Sequence, residues 1–248
     1  MKNISFIGSK TEYEEFAQSF QTLKSSQSII SFDDGPTRYR LQYIENKLSL
    51  IDTETTLSIC VDFSSSDIQN RIDTHTAKLP LIKAIEGKHK NKLTVIDATA
   101  GLGTDSFCIA AREHKVIAIE QSPIVYSLLF DGIKRAQKDI NLTSIANKIR
   151  LTFGNASEVI PRLPATDLIY LDPMFPDKAK SAKVKKNMQM LQIILGKNND
   201  NSCLFQTAVS HAAKKVIVKR PKQSPFLGDT KPNSQLIGKT NRFDVYVI

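Results

Sequence analysis

The chain has 248 residues, of which 41% are hydrophobic and 24% charged, the composition of an ordinary globular protein. No stretch approaches the roughly 20 consecutive apolar residues that span a bilayer. The three cysteines lack the paired spacing of a zinc site or a disulfide framework. These features argue against a membrane-spanning or cysteine-rich metal protein, and we expect a cytoplasmic protein that binds no metal ion.

The net charge of +9 comes from one segment of the chain. Residues 1–176 carry 20 basic and 21 acidic side chains (net −1), residues 177–222 carry 11 and 2 (net +9), and residues 223–248 carry 3 and 2 (net +1). Clustered positive charges attract polyanions. The segment could be an ordinary solvated surface, but its position directly after the candidate catalytic residues favours contact with a nucleic acid.

Residues 1–80 are predicted to form a small α+β N-terminal lobe that is rich in strands. Short runs of β-type residues are separated by turn signals such as Asp33-Asp34-Gly35-Pro36 and Asn46-Lys47. A helix is predicted to begin at Asp67. The predicted strands cover residues 4–7, 29–32, 39–44, 48–51 and 57–61.

Residues 81–248 are predicted to form an α/β domain. From Leu93 onward, short apolar strands alternate with segments of helical length, the pattern of parallel βαβ units. Ser122 and Pro123 are typical of the N-cap and first position of a helix. The predicted strands cover residues 93–97, 115–119, 149–153, 168–171, 215–218 and 243–247, and the predicted helices cover residues 104–112, 123–139 and 182–195.

A glycine-rich turn follows the first strand of this domain. We call residues 98–103, Ala-Thr-Ala-Gly-Leu-Gly, the glycine turn. Its glycines allow the backbone to approach a ligand, and doubly wound sheets bind ligands at the carboxyl ends of their strands. A tight turn without a ligand would have the same pattern. The residues expected to bind the cofactor here are Asp97, Gly101, Gly103, Thr104 and Asp105.

Neighbouring residues discriminate among nucleotide-type ligands. The Gly-Lys-Ser/Thr ending of a phosphate-binding loop and the third glycine of the dinucleotide fingerprint are absent, which favours S-adenosylmethionine, a cofactor without phosphate. Glu120 ends the second strand and can accept hydrogen bonds from both ribose hydroxyls, although NAD would use the same acid. Asn155 and Ala156 follow the third strand, where the adenine ring would lie, although Gly154-Asn155 could equally be a turn.

The segment Asp172-Pro173-Met174-Phe175 is the candidate catalytic tetrad. The amino nitrogen of a nucleobase is a poor nucleophile because its lone pair is delocalised into the ring. Asp172 and the carbonyl of Pro173 can each accept one amine hydrogen, and Phe175 offers a face on which the base stacks. Such a direct displacement depends on alignment and electrostatics and needs no metal ion. A proline-rich turn would share these residues, but the order of glycine turn, Glu120 and tetrad favours the catalytic interpretation.

Basic residues follow the tetrad and surround the fifth strand of this domain. Contacts from such residues to phosphates position a nucleic acid without reading its sequence. The target base is expected to be flipped or unpaired, because it must enter the fold. The predicted RNA-binding residues are Lys178, Lys180, Lys183, Lys185, Lys186, Lys219 and Arg220.

From about Leu57 to its C-terminus, the chain resembles the RsmJ family, methyltransferases of a guanine N2 amine in 16S rRNA. The resemblance lies in residues 97–103, 170–176, 180–182, 184–186, 218–221 and 242–244. It implies a Rossmann-like class I methyltransferase fold with a seven-stranded, mostly parallel sheet. It also implies S-adenosylmethionine as cofactor and 16S rRNA or the small ribosomal subunit as partner. The cofactor contacts that it implies are Thr104, Asp105, Glu120, Gln121, Asn155, Ala156 and Asp172.

Three other functions would use the same features. A DNA adenine-N6 or cytosine-N4 methyltransferase needs the same hydrogen-bond acceptors as a guanine-N2 enzyme. A noncatalytic RNA-binding protein of ribosome assembly would keep the fold and the basic surface without turnover. An NAD-dependent oxidoreductase would use the glycine turn and Glu120. The residues leave the target nucleotide and the oligomeric state open.

Overall fold

The computed structural model describes residues 4–8, 14, 30–32, 37–73, 78–87, 91–173, 186–195 and 201–248. These residues form two sheets, one of five strands and one of seven. No helix in this part of the chain is long and apolar enough to cross a membrane. The strands are β1 (Ile4–Ile7), β2 (Ile30–Phe32), β3 (Tyr39–Ile44), β4 (Lys47–Asp52), β5 (Leu57–Cys60), β6 (Thr94–Asp97), β7 (Lys115–Glu120), β8 (Ile149–Phe153), β9 (Thr166–Leu171), β10 (Ala212–Pro221), β11 (Ser234–Ile237) and β12 (Asn241–Val247). The helices are α1 (Ser66–Ile72), α2 (Pro80–Glu86), α3 (Thr104–Ala111), α4 (Pro123–Lys138), α5 (Thr143–Ala146), α6 (Ala156–Val159), α7 (Lys186–Leu195) and α8 (Ser202–His211).

The smaller sheet is built from the N-terminal strands in the order β2-β1-β3-β4-β5. Its two pairings with β1 are parallel, and β3, β4 and β5 pair antiparallel. Glu45 and Asn46 both have positive φ, 48° and 60°, as a two-residue hairpin turn between β3 and β4 requires. The predicted strand-rich lobe is therefore confirmed.

The smaller sheet docks on α4. The Asp131 carboxylate of α4 accepts a hydrogen bond from the Leu48 backbone of β4 at 3.1 Å, and Arg135 donates to the Val61 carbonyl. Between them, Gly132 lies so close to Val61 that an added Cβ would be 2.7 Å from the Val61 Cβ. Buried residues of both sheets belong to one hydrophobic cluster. A boundary between two domains near residue 80 stays a prediction.

The larger sheet has the strand order β11-β12-β10-β9-β6-β7-β8. The run from β10 to β8 is parallel, and β12 and β11 are antiparallel to their neighbours. The chain continues from β6 to β7 on one side and later returns to β9 on the other, so the order reverses between β6 and β9. Ligands bind at such a switch point in doubly wound sheets. The predicted Rossmann-like, seven-stranded and mostly parallel sheet is confirmed.

The long helix α4 begins where the sequence predicts. The Ser122 hydroxyl accepts a hydrogen bond from the Val125 backbone at 3.4 Å, and Pro123 occupies the first helical position, where its missing N–H costs nothing. One face of the helix, which includes Ile124, Leu128 and Ile133, is buried. The helix extends from the site to the smaller sheet and thereby links the two.

Several elements were absent from the sequence prediction, and α8 is the longest helix among them. Its residues include weak helix formers such as Thr207 and Val209, so intrinsic propensity does not select a helix. Leu204, Phe205 and Ala208 are buried against the sheet, and this packing stabilises it. The short edge strand β11 was missed for the same kind of reason, because only its pairing with β12 defines it.

Candidate active site

The predicted site residues meet where β6, β7, β9 and β10 end. The glycine turn follows β6, Glu120 ends β7 and Asp172 follows β9. In the pairing of β9 with β10, Leu171 lies opposite Val218, which places Lys219 level with Asp172. These residues surround the switch point between β6 and β9.

The glycine turn has the backbone that only glycine adopts readily. Gly101 and Gly103 have φ values of 55° and 78°. An added Cβ on Gly103 would clash with Leu129 and lie 3.2 Å from the Phe63 ring, so α3 could not pack as it does. Thr104 and Asp105 form the first turn of α3 and face the site edge, half-buried.

Asp97 lies beneath the glycine turn. Its side chain is 1% exposed and accepts hydrogen bonds from the Ser106 hydroxyl at 2.6 Å and the Thr99 backbone at 3.2 Å. Burial raises the pKa of this carboxyl to about 7. We predicted a ligand contact, but the structure places the Asp97 carboxylate in the interior, where it shapes the turn.

Glu120 joins the end of β7 to the glycine turn. One carboxylate oxygen accepts from the Gly101 backbone at 2.9 Å and the other from the Ser122 backbone at 2.7 Å. Burial raises the pKa of Glu120, against the opposing effect of these hydrogen bonds. A carboxylate has about four lone-pair sites, so Glu120 can still accept a hydrogen bond from a ligand. Gln121, the next residue, is exposed.

Asn155 and Ala156 lie at the same edge, just beyond β8. The Gly154 backbone donates to the Glu120 carbonyl at 3.0 Å, which holds this segment beside β7. The Asn155 side-chain oxygen accepts from the Ser157 backbone at 3.0 Å and caps α6, whose first residue, Ala156, is buried. Asn155 is therefore the N-cap of a helix, and its side-chain oxygen is engaged by that helix.

Asp172 is attached directly to the glycine turn. Its backbone N–H donates to the Thr99 hydroxyl at 2.7 Å, and the Ala98 backbone donates to the Tyr170 carbonyl at 3.0 Å. Pro173 is buried. Two hydrogen bonds thus fix the position of the Asp172 segment relative to the glycine turn. Asp172 is predicted to hold the target amine, and the glycine turn is predicted to bind the cofactor.

Lys219 lies within the site. Its ammonium donates to Asp172 at 2.8 Å and to Asp105 at 2.9 Å, and Asp105 also accepts from the Tyr170 hydroxyl at 2.7 Å. Burial lowers the pKa of Lys219, but the two carboxylates outweigh it, so the pKa is raised. Burial raises the pKa of Asp172, and Lys219 opposes that rise. A charged network therefore connects the cofactor side of the site to the tetrad.

Comparisons with known proteins show the family of the chain. A family model described as putative SAM-dependent methyltransferase matches residues 25–248. The ribosomal RNA small subunit methyltransferase J of Francisella philomiragia is 45% identical over 210 residues, 82% of this chain and 86% of the relative. The chain belongs to the RsmJ family. A second relative in this family, from Francisella tularensis subsp. novicida, is 45% identical over 189 residues, 75% of this chain and 78% of the relative.

The fold of this RsmJ-family chain is shared along its whole length with a solved structure. A crystal structure of a SAM-dependent methyltransferase from Neisseria gonorrhoeae aligns with a TM-score of 0.75 at 31% identity, covering 99% of this chain and 96% of that one. The predicted family, enzyme class and cofactor are therefore confirmed, and the chain is an S-adenosylmethionine-dependent methyltransferase.

The residues at the switch point fit S-adenosylmethionine. A Cβ added to Gly101 would approach only the Thr99 carbonyl, at 3.8 Å, among the described residues, so the space over the turn is open. Glu120 has lone pairs for the ribose hydroxyls, and Thr104 and Asp105 offer polar groups for the amino-acid moiety. No group of three or more possible metal ligands occurs in the described ranges.

The structure corrects two of the predicted RNA contacts of this methyltransferase. Lys219 pairs with carboxylates inside the site, and Arg220 is 5% exposed and donates to the Pro225 carbonyl. Both lie on β10, between β9 and β12. Arg220 is therefore buried, and the half-buried ammonium of Lys219 is engaged by two carboxylates. The strongly apolar neighbours Ile217 and Val218 were the signal that this part of the strand is interior.

The remaining predicted residues of the tetrad and the lysine cluster fall largely outside the described structure. Phe175, with Met174, lies outside the described residues. Lys186 begins α7, but its side chain is outside the description. The same holds for the whole of Lys178, Lys180, Lys183 and Lys185.

Proposed function

We propose that this methyltransferase modifies the exocyclic N2 amine of a guanine in 16S rRNA. The observation that carries the proposal is the 2.7 Å hydrogen bond from the Asp172 backbone to the Thr99 hydroxyl. It ties the acceptor for the amine to the turn that binds the cofactor. A fixed distance between these two sites is what a direct displacement requires, since its rate comes mainly from alignment.

The residues of the tetrad would bind and orient the amine. Bound S-adenosylmethionine supplies an electrophilic methyl group on its sulfonium. Asp172 and the carbonyl of Pro173 each accept one amine hydrogen, which favours a pyramidal and more nucleophilic nitrogen. Phe175 stacks on the base and keeps it in plane, a contact worth about 1–3 kcal/mol.

Guanine suits an ionised Asp172 better than adenine does. The N2 amine of guanine adjoins the N1–H, so one edge of the base presents two donors to a carboxylate, which is an acceptor only. The N6 amine of adenine adjoins an unprotonated N1, whose lone pair would face the carboxylate. This chemistry, together with two relatives named ribosomal RNA small subunit methyltransferase J, supports guanine N2 in rRNA.

The basic segment supports a nucleic-acid substrate held by its phosphates. Residues 177–222 carry 11 basic and 2 acidic side chains, and they begin just after the tetrad. We therefore propose the 16S rRNA, free or in the small ribosomal subunit, as partner and rRNA processing in the cytoplasm as the setting. The lysines Lys178, Lys180, Lys183, Lys185 and Lys186 are the proposed phosphate contacts.

Mass spectrometry of nucleosides tests the proposed function. rRNA and DNA from cells with and without the gene are digested, and the methylated nucleosides are compared. We expect loss of N2-methylguanosine from 16S rRNA alone, with restoration by the unmutated chain but not by Asp172→Ala. Loss of a methylated base from DNA would instead support the DNA methyltransferase. Unchanged methylation in both, with binding to the small subunit, would support the noncatalytic assembly protein.

A further inference from the structure

The hydrogen bonds proposed for the tetrad do not require a lysine, yet Lys219 lies beside Asp172. Its ammonium lies 2.8 Å from the Asp172 Oδ2 and 2.9 Å from the Asp105 Oδ2, with its side chain 23% exposed. The transfer of a methyl to an amine uses Asp172 but needs no cation beside it. An ammonium beside the Asp172 carboxylate favours the charged form of that carboxylate.

The other titratable groups that face this position are acidic or neutral. They are Asp97 on β6, Asp105 and Cys108 on α3, and Tyr170 on β9. Asp105 adds a negative charge next to Asp172, and both carboxylates are partly removed from water. Among the described residues that act on Asp172, Lys219 therefore provides the compensating positive charge.

We propose that Lys219 is a positioning residue for methyl transfer, which holds the Asp172 carboxylate as a charged acceptor with one oxygen turned toward the amine. The proposal rests on the function proposed above in one respect, that Asp172 accepts an amine hydrogen. Lys219 binds Oδ2 and leaves Oδ1 free of this contact. A protonated Asp172 would present a hydroxyl donor to an amine that is itself a donor, so transfer requires the ionised form.

The charges around Asp172 determine the direction in which its pKa changes when Lys219 is replaced. Burial raises the pKa of Asp172, Lys219 lowers it, and Asp105 raises it. Removing the charge of Lys219 therefore raises the pKa of Asp172, and the acidic limb of kcat moves to higher pH. Removing the charge of Asp105 has the opposite effect on Asp172. A lysine that only fills space would leave the acidic limb where it is.

The first experiment measures single-turnover methyl transfer between pH 5 and 9 on small ribosomal subunits from cells that lack the gene. For Lys219→Met, we expect the acidic limb to move up by about one pH unit or more, which is about tenfold in rate on that limb. The subunit concentration that gives half of the maximal single-turnover rate should change by less than that maximal rate does. In Lys219→Arg, the acidic limb should lie close to its position in the unmutated chain, because the guanidinium keeps the positive charge. An unmoved acidic limb in Lys219→Met would overturn the proposal.

Lys214→Met is the matched control. Lys214 lies near the start of β10, 59% exposed, and pairs with Asp167 at 2.7 Å, away from the site. The substitution Lys214→Met removes the same charge from the same strand but away from Asp172. The pH profile of this variant should therefore equal that of the unmutated chain. If Lys219→Met does not fold, as circular dichroism would reveal, Asp105→Asn takes its place. Its acidic limb should move to lower pH, and a shift upward would contradict the proposal.

A second measurement separates this proposal from the proposed function. Aspartate labelled with ¹³C at Cγ reports the titration of Asp172 by NMR, with the signal assigned from Asp172→Asn. Lys219→Met should titrate at higher pH than the unmutated chain, whatever the methyl acceptor is. Absence of methyl transfer to the subunits by the unmutated chain would contradict only the proposed substrate. An unchanged Asp172 titration would contradict only the role of Lys219.

Discussion

Three carboxylates at the switch point, of which Asp97 is buried and Glu120 and Asp172 are half-buried, share one cause of a raised pKa and differ in what opposes it. Burial raises the pKa of Asp97, Glu120 and Asp172. The rise in pKa is opposed at Asp97 by hydrogen bonds from a hydroxyl and a backbone N–H beneath the turn. It is opposed at Glu120 by backbone N–H groups and at Asp172 by the ammonium of Lys219. These partners predict different roles, namely support of the turn, binding of the cofactor and acceptance of the amine.

Glu120→Gln should weaken the binding of S-adenosylmethionine. The amide keeps the shape of the side chain, but one of its ends is a donor that would face the Gly101 or Ser122 N–H. Hydrogen bonds to charged groups are worth about 1.5–3 kcal/mol, so we expect an increase of about 10- to 100-fold in Kd by calorimetry. Glu54→Gln, in the exposed turn between β4 and β5, is the control. Equal affinities of the two variants would contradict the role of Glu120.

Asp97→Asn should remove a pH dependence of stability. The pKa of Asp97 is about 7 in the folded chain, above the value of 3.8 expected when unfolded. Between these values the folded chain retains a proton that the unfolded chain releases, so this contribution to stability is full below about pH 3.8 and is lost as the pH rises to about 7. Over this pH range, we expect the free energy of unfolding of the unmutated chain to fall by on the order of 1–4 kcal/mol relative to that of Asp97→Asn. Urea denaturation measures both free energies. The exposed Asp229→Asn serves as control, and its slope with pH should equal that of the unmutated chain.

At the scale of elements, α4 joins the two sheets. Its N-terminus lies beside Glu120, and its middle contacts β4 and the segment after β5 through Asp131, Gly132 and Arg135. The N-cap at Ser122 and the apolar face were readable as a pattern along the chain. The docking surface was not, because it depends on residues 74 and 83 positions earlier in the chain, which approach the helix only in the folded chain.

Gly132→Ala should destabilise the chain although alanine is the better helix former. An added Cβ would lie 2.7 Å from the Val61 Cβ and 3.0 Å from the Val61 carbonyl oxygen. Overpacking of this kind costs about 1–3 kcal/mol, against a gain of about 1 kcal/mol in helix propensity. We expect a lower free energy of unfolding and a lower Tm. Lys138→Ala, exposed on the same helix, should leave both nearly unchanged, and a stabilised Gly132→Ala would show that the smaller sheet does not dock here.

At the scale of the whole molecule, the charge is divided between an almost neutral body and a basic segment. Residues 1–176 have a net charge of −1, whereas residues 177–222 have +9. Part of that excess is already engaged within the protein, since Lys219 pairs with two carboxylates and Arg220 is buried. The contacts with RNA are therefore expected to come chiefly from the lysines directly after the tetrad.

Replacing these lysines by glutamine should weaken binding to the small subunit without altering the chemical step. Each lost phosphate contact reduces the magnitude of the slope of log K against the logarithm of the salt concentration by roughly one. We expect affinity to fall at every salt concentration, by filter binding, while the rate at saturating subunits is kept. Glutamine at the exposed Lys134 and Lys138 of α4 is the matched control. Equal effects of the two sets would remove the support for a specific RNA surface. The set to be replaced is Lys178, Lys180, Lys183 and Lys185.

The sequence by itself predicted most strands of the larger sheet and the cofactor, and the chemistry of the tetrad stays a prediction. Alternation of short apolar strands with helices predicts βαβ units, and parallel strands bring their carboxyl ends to one edge. The glycine turn, Glu120 and Asp172 each follow or end a strand, so their meeting was predictable from local patterns alone. α8 and β11 escaped prediction because packing and pairing, not intrinsic propensity, stabilise them.

Only the tertiary structure decided what the polar residues in these elements contact. Lys219 belongs to the most basic stretch of the chain and reads as a phosphate contact, yet pairing of β10 with β9 brings it level with Asp172. Asp97 reads as a ligand contact, yet it supports the glycine turn from below. The reason is physical: a residue type fixes which partners a side chain can bind, whereas its depth in the sheet and the strands beside it decide which partner it reaches.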